Sequence, residues 1–339
     1  MISKEPKIMI LGAGAVGLSI AGMLSKNCYV SAVCRKRHAD AISQKGLYKS
    51  GIWGEEIIHD IRCYTKSDEL FEELIPSDNK KFDFIIITSK SSDTEKICEE
   101  YQNLFKNNII VSIQNGIGNE EIIEKYAENI IGATITTNFS SPKDGFVKVM
   151  SESEPLKLGI YPCEFRKNSH NNSIPDYNSE LEQLIEIFKK SGINAKRSKN
   201  IRSAIWEKSL LNIAVNPLTA LLSIPVGDVL DENLKSLITG LIKETFLVMS
   251  AKKITTKWAG PEDYLNYLFD ILIPSFSNAY TSMYQDIQLN RKTEIDFING
   301  AVVRFGKEQK IETPFNSCIC SLIKYQENKV SLSQCTQDQ

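Results

Sequence analysis

Residues 7–24 read KIMILGAGAVGLSIAGML: an apolar run, then Gly12, Gly14 and Gly17 in GxGxxG spacing, then a helix of small and apolar residues. A strand that ends in such a loop and opens a helix is the start of a dinucleotide-binding βαβ unit. Gly12 permits the tight turn, Gly14 lets backbone approach a pyrophosphate, and Gly17 lets helix and strand pack closely. The new helix offers N–H groups to the anion, so Gly12, Ala13, Gly14, Ala15, Val16 and Gly17 form the candidate cofactor loop. A glycine turn of purely structural purpose is the alternative.

The same alternation continues outward. Strand-like runs at 7–11, 29–34, 82–88 and 109–113 alternate with helical patterns at 16–25 and 94–105, the rhythm of a parallel sheet. Runs at 130–138, 145–149 and 156–160 are expected to extend that sheet, with Pro142 and Gly145 marking a turn. Residues 162–178 are polar and read as a surface loop before a helix at 181–190. Beyond about Arg202, helical patterns take over at 204–215, 234–251, 262–272, 294–308 and 314–326. The expected fold class is α/β plus all-α: an N-terminal Rossmann-like doubly wound sheet over 1–199 and a C-terminal helical domain over 200–330. The stretch from Asn328 is polar and expected to fray, with a polar tail over 331–339.

Composition narrows the partners. The chain has 339 residues, 42% hydrophobic and 24% charged, enough for two domains with a core each. Lys+Arg at 40 against Asp+Glu at 42 leave a net charge of −2, without the basic footprint of a nucleic-acid binder. Glycines cut the first apolar run within a few residues, so neither a signal peptide nor a membrane span is expected. Cysteines at 28, 34, 63, 98, 163, 318, 320 and 335 and histidines at 38, 59 and 170 form no metal-ligand spacing, so no metal is expected and the thiols read as reduced. The expected compartment is the cytoplasm. An apolar face on the helical domain could make a homodimer.

The second strand-like run ends in Cys34–Arg35–Lys36–Arg37, where an NAD enzyme places Asp or Glu against the ribose 2′-hydroxyl. Three cations without a carboxylate suit a 2′-phosphate, which favours NADPH/NADP, with Arg35 as the first phosphate contact. A solvated basic loop is the alternative. Lys90 ends FDFIIITSK, and Gln114, Asn115 and Gly116 end IIVSIQNG, both at carboxyl ends of parallel strands, where open α/β sheets bind ligands. Lys90 could equally be an exposed loop lysine, and Asn115–Gly116 an ordinary Asn-Gly turn.

In AIWEKSLLNIAVNPLTALL (204–222), Lys208, Asn212 and Asn216 recur every four residues and span an arc of about 80° on an otherwise apolar helix. Buried amides and an ammonium need partners, which a polar ligand would supply. A snorkelling lysine with Asn216 capping at Pro217 would explain the same pattern. Further on, Thr293 reads as a helix N-cap with Glu294 in the first turn, where a carboxylate also complements the helix dipole.

With GAGAVG at 12–17, Lys90, IQNGIGN at 113–119, WEKSLLNIAVNPLTAL at 206–221, and SMYQD at 282–286 followed by TEIDFING at 293–300, the sequence resembles the ketopantoate reductase family over nearly its whole length. The resemblance implies NADPH-dependent reduction of 2-dehydropantoate to pantoate, with the active site in the cleft between a Rossmann domain and a helical domain. It also implies Lys208 as general acid, Glu294 as its carboxylate companion, and Asn115, Asn212, Asn216 and Ser282 as substrate-holding residues, with Lys90 and Asn115 beside the cofactor. In such a reaction hydride reaches the C2 carbonyl while an ammonium stabilises and protonates the oxygen. No histidine lies in the motif blocks, so a lysine acid fits better than a histidine one. Val226, Ala279, Tyr280 and the turn at 141–145 depart from the pattern of some relatives, and bear on which acid is reduced. Reduction of another 2-oxo acid and a non-catalytic NADP(H)-binding sensor are the alternatives.

Overall fold

The computed structural model describes residues 5–67, 69–70, 82–162 and 177–335. Most of the expected surface loop, with Cys163 and His170, lies outside the described residues, as do 336–339. The chain divides into two compact units, residues 1–115 with 119–202, and residues 116–118 with 203–339.

In the first unit, twelve strands form two sheets among the described residues. They are β1 (Lys7–Leu11), β2 (Tyr29–Val33), β3 (Leu47–Gly51), β4 (Glu56–Ile58), β5 (Ile61–Tyr64), β6 (Phe84–Ile87), β7 (Ile109–Ser112), β8 (Asn129–Thr134), β9 (Thr137–Ser140), β10 (Phe146–Glu152), β11 (Leu156–Ile160) and β12 (Ala195–Arg197). The main sheet has the order β12-β11-β8-β7-β6-β1-β2-β5. From β8 to β5 all its pairings are parallel, while β11 runs antiparallel to β8. Every residue of β6 and β7 is buried, so these strands are apolar throughout instead of alternating. From β1 the chain passes to β2 and β5, then returns on the other side of β1 as β6, which makes the β1/β6 boundary the topological switch point.

The expectation that the runs at 130–138 and 145–149 extend this sheet is corrected. The first run divides: β8 joins the main sheet, whereas β9 pairs with β10 in a second sheet of order β4-β3-β10-β9. Residues 47–64 give little strand signal because β4 and β5 are short and β3 buries Lys49 where alternation would call for an apolar residue. That ammonium donates to the carbonyls of Trp53 (2.5 Å) and Gly54 (3.0 Å). Helix α1 (Ala15–Leu24) packs against β2 and also against β3, β9 and β10. Covered on two sides, it must be apolar around its whole circumference, as VGLSIAGML is. Also in this unit are α2 (Lys36–Lys45), α3 (Thr94–Phe105), α4 (Asn119–Ile123) and α5 (Asn178–Lys190).

The second unit is helical. It comprises most of α6 (Ile201–Leu222), then α7 (Glu232–Ala251), α8 (Pro261–Tyr267), α9 (Ser282–Gln288), α10 (Asn299–Glu308) and α11 (Pro314–Cys335). Trp206, Leu210, Ile213, Ile242, Val302 and Ile323 are buried in its core. Residues 262–272 divide into α8 and a single π turn at Leu268–Leu272. Glu294 does not lie in the first turn of a helix: it precedes a 3-10 turn at Ile295–Phe297, and α10 begins only at Asn299. Thr293 caps that 3-10 turn, its Oγ1 accepting from the Ile295 N–H at 3.2 Å. The stretch expected to fray from Asn328 continues α11 to Cys335. Gly116–Gly118 go with this unit: the Ile117 N–H donates to the Phe297 carbonyl at 2.7 Å and Arg304 Nη2 donates to the Ile117 carbonyl at 3.3 Å. Among the described residues no helix is long and apolar enough to cross a membrane, and no group of three or more His, Cys, Asp or Glu could hold a metal.

Candidate functional site

At the carboxyl end of β1 the three glycines have different reasons to be glycine. Gly12 takes φ +75°, and a Cβ there would collide with Ser89. At Gly17 a Cβ would collide with Thr88 and crowd Ile10. At Gly14 a Cβ would meet nothing of the protein within 4 Å, and φ is −93°. The protein's own packing therefore leaves an open approach to the helix N-terminus at Gly14, which fits a pyrophosphate. Two N–H groups of the loop are already committed, Ala13 to the Val33 carbonyl and Gly14 to the Gly12 carbonyl, both at 2.8 Å. Those of Ala15, Val16 and Gly17 open α1 and have no acceptor within the helix.

The loops after β1, β6 and β7 are tied into one edge. Gln114 Nε2 donates to the Ser89 carbonyl (3.1 Å), Ser89 Oγ (3.2 Å) and Thr94 Oγ1 (2.9 Å). The Asn115 carbonyl accepts from Ser91 Oγ (2.5 Å) and Asn119 Nδ2 (2.9 Å), and Asn119 Oδ1 accepts from Thr94 Oγ1. This network holds half-buried Asn115 just before Gly116, whose φ of +89° makes it a true Asn-Gly turn. Lys90 is half-buried and starts the 3-10 turn Ser91–Asp93. Ser89, Ser91 and Thr94 escaped the sequence reading because short hydroxyl residues after a strand carry no distinctive spacing.

Arg35 is exposed at the end of β2, directly before α2. Lys36 pairs with Asp40 (3.0 Å) and Arg37 with Asp144 (3.2 Å), whereas Arg35 Nη2 stands 3.5 Å from His38 Nε2. The His38 ring is buried, and its Nδ1 accepts from the Gly145 N–H at 3.3 Å. Burial first, and the Arg35 charge second, push its pKa down. The glycine loop, Arg35, Lys90 and Asn115 thus lie at the carboxyl ends of four adjacent strands, β2, β1, β6 and β7.

In the helical unit, α6 carries Lys208, Asn212 and Asn216 on one face. Lys208 and Asn212 are half-buried, and Asn216 is 5% exposed. Among the described residues neither asparagine side chain has a hydrogen-bond partner, and neither has a polar atom sealed from solvent, so both amides are open to a ligand. Asn216 does not cap at Pro217, since the helix runs on to Leu222. Burial lowers the Lys208 pKa to about 8, and the charge of Glu294 opposes that fall. Ser282, exposed, is the first residue of α9. The residue before it is tied to α6: Thr219 Oγ1 donates to the Asn216 carbonyl (3.0 Å) and meets Thr281 Oγ1 (2.8 Å), which accepts the Tyr284 N–H (3.2 Å). Among the departures, Val226 is 1% exposed and its N–H donates to the Ala279 carbonyl at 2.9 Å, so it serves packing, while Tyr280 stacks on Tyr284.

A buried polar cluster behind this face also escaped the sequence reading. Asn299 Nδ2 donates to the Ile213 carbonyl (3.1 Å) and to Asn316 Oδ1 (3.0 Å). Asn316 Nδ2 donates to the Leu241 carbonyl (3.1 Å) and to Glu244 Oε2 (2.7 Å). The signal was present, since Glu244 falls between Leu241 and Val248 on the apolar stripe of α7.

Comparison with known proteins covers both units. The profile described as Ketopantoate reductase PanE/ApbA matches residues 8–162, and that described as Ketopantoate reductase PanE/ApbA C terminal matches 200–327. The chain is similar to the 2-dehydropantoate 2-reductase of Pyrococcus horikoshii, 31% identical over 325 residues, 95% of this chain and 98% of that one. It is 28% identical over 326 residues to that of Aquifex aeolicus, at 95% and 97% coverage. Among solved structures, the PanE/ApbA family ketopantoate reductase from Ralstonia eutropha JMP134 superposes with a TM-score of 0.80 at 24% identity, over 96% of this chain and 99% of that one. D-mandelate dehydrogenase in a ternary structure with NADH and anilino(oxo)acetate gives 0.80 at 25% identity with the same coverage. Matched in both its halves, and similar from end to end to a relative at 31% identity, this chain belongs to the ketopantoate reductase PanE/ApbA family of oxidoreductases.

Proposed function

We propose that this protein is a cytoplasmic, NADPH-dependent reductase that converts 2-dehydropantoate to pantoate. The observation that carries the reading is the α6 face, where an ammonium of lowered pKa stands one and two turns from two carboxamides that have no hydrogen-bond partner among the described residues. On the sheet edge, the 12–17 loop takes the pyrophosphate, Arg35 the 2′-phosphate, and Lys90 and Asn115 contact the cofactor, Asn115 the substrate as well. NADPH, when bound, supplies a hydride to the C2 carbonyl carbon. As negative charge develops on the carbonyl oxygen, the Lys208 ammonium donates a hydrogen bond to it and then its proton. Glu294 keeps that lysine charged in spite of its burial and orients it. Asn212, Asn216 and Ser282 hold the carboxylate and hydroxyl of the acid.

One observation favours a second reading: a chain of the same fold at 25% identity is a D-mandelate dehydrogenase whose structure contains NADH. On that reading the machinery is the same, and the acid or the cofactor differs. The test is oxidation of NADPH and of NADH by the purified protein with 2-dehydropantoate and a panel of other 2-oxo acids. Lys208-dependent turnover, highest with 2-dehydropantoate and NADPH, supports the first reading. A higher kcat/KM with another acid or with NADH replaces it with the second, and cofactor binding without turnover of any acid overturns both.

A further inference from the structure

Helix α6 contains a proline two turns beyond Lys208, and Pro217 has no N–H to give to the Ile213 carbonyl, which would otherwise receive the helix hydrogen bond from that position. The donor to Ile213 comes instead from outside the helix, as the Asn299 side-chain N–H at 3.1 Å. Asn299 is fully buried, and its second N–H goes to Asn316 Oδ1 at 3.0 Å. Asn316 is in turn fixed by the Glu244 carboxylate, which accepts both its backbone N–H (3.0 Å) and its Nδ2 (2.7 Å). Among the described residues the Asn299 oxygen, by contrast, is buried without a partner. An acceptor left unsatisfied in the interior is unfavourable, so this amide is there for the two hydrogen bonds it donates. The repaired carbonyl belongs to the turn that joins Asn212 to Asn216, and Pro217 follows Asn216 directly.

We infer that Asn299 is a positioning residue for substrate binding: by taking over the hydrogen bond that Pro217 removes, it fixes the turn that carries Asn212 and Asn216. This rests on the reading above that these two asparagines hold the 2-oxo acid. Asn299 itself hydrogen-bonds to neither side chain and has no part in proton transfer.

The test uses a rescue that the geometry makes specific. Asn299→Leu should raise the KM for 2-dehydropantoate about tenfold or more, with the KM for NADPH changed less than about twofold. Pro217→Ala restores a backbone N–H opposite Ile213, so in that background the same Asn299→Leu change should cost less than about threefold. A lower Tm with an unchanged KM for the acid, or an equal loss in the two backgrounds, overturns the inference. Should Asn299→Leu fail to fold, Asn299→Ser measured with and without Pro217→Ala makes the same comparison. Asn216→Ala in the same assay separates the two failures: an unchanged KM there refutes the substrate role of the face, whereas a raised KM with no rescue refutes only the role of Asn299.

Discussion

Glu294 and Lys208 are electrostatic neighbours in the helical unit, and the carboxylate opposes the effect of burial on the ammonium, whose pKa rests at about 8. A proton donor with that pKa is mostly charged at neutral pH and half-charged at about pH 8, so it can stabilise an oxyanion and still release its proton readily. Since reduction uses the protonated form, kcat/KM should be level below pH 8 and fall about tenfold per unit above it. Glu294→Gln removes the opposing charge, so the falling limb should move to lower pH. A limb that stays in place would separate Glu294 from Lys208.

Lys208→Ala should lower turnover by at least about 10²-fold while leaving the NADPH Kd nearly unchanged, because the lysine acts on charge that develops during the reaction. Steady-state kinetics together with fluorescence titration of the cofactor checks both halves. Turnover within a few-fold of the parent would remove Lys208 as the acid.

Gly14→Ala and Gly17→Ala, the same chemical change three residues apart, should fail in different ways. The space at Gly14 is open on the protein side, so Gly14→Ala should keep its Tm and weaken dinucleotide binding about tenfold or more. At Gly17 the methyl meets Thr88 and Ile10, so Gly17→Ala should lower stability by about 1–3 kcal/mol. Thermal melts with and without NADPH distinguish the two, and equal Tm losses would refute the assignment of Gly14 to the cofactor.

Arg35→Ala should weaken NADPH about tenfold and leave NADH almost unaffected, as expected for loss of a charge-assisted contact to the 2′-phosphate. Lys36 and Arg37, paired with Asp40 and Asp144, should matter less. Equal losses for the two cofactors would assign Arg35 to support of the β2 end instead.

The parallel sheet and the glycine loop are legible in the sequence because their causes are local. A strand buried on both faces must be apolar at successive positions, and a turn at φ +75° packed against Ser89 must be glycine. The Lys208, Asn212 and Asn216 stripe is legible for the same reason, since helical periodicity alone puts three residues on one face. The second sheet is not. Its strands are short, one buries a lysine, and the all-round apolarity of α1 says that something covers the helix without saying what.

The sequence by itself determined the nucleotide-binding βαβ start, the change from α/β to helical character near Arg202, and the polar face of α6, all products of spacing along one segment. Only the tertiary structure decided that Glu294 opposes the burial of Lys208, that Gly14 alone of the three glycines faces open space, and that Asn299 supplies the hydrogen bond Pro217 cannot. Each of these joins residues distant along the chain or depends on what a neighbouring element leaves empty. Periodicity carries no information about such pairs, because a helix or strand fixes which way a residue points but not what it meets there.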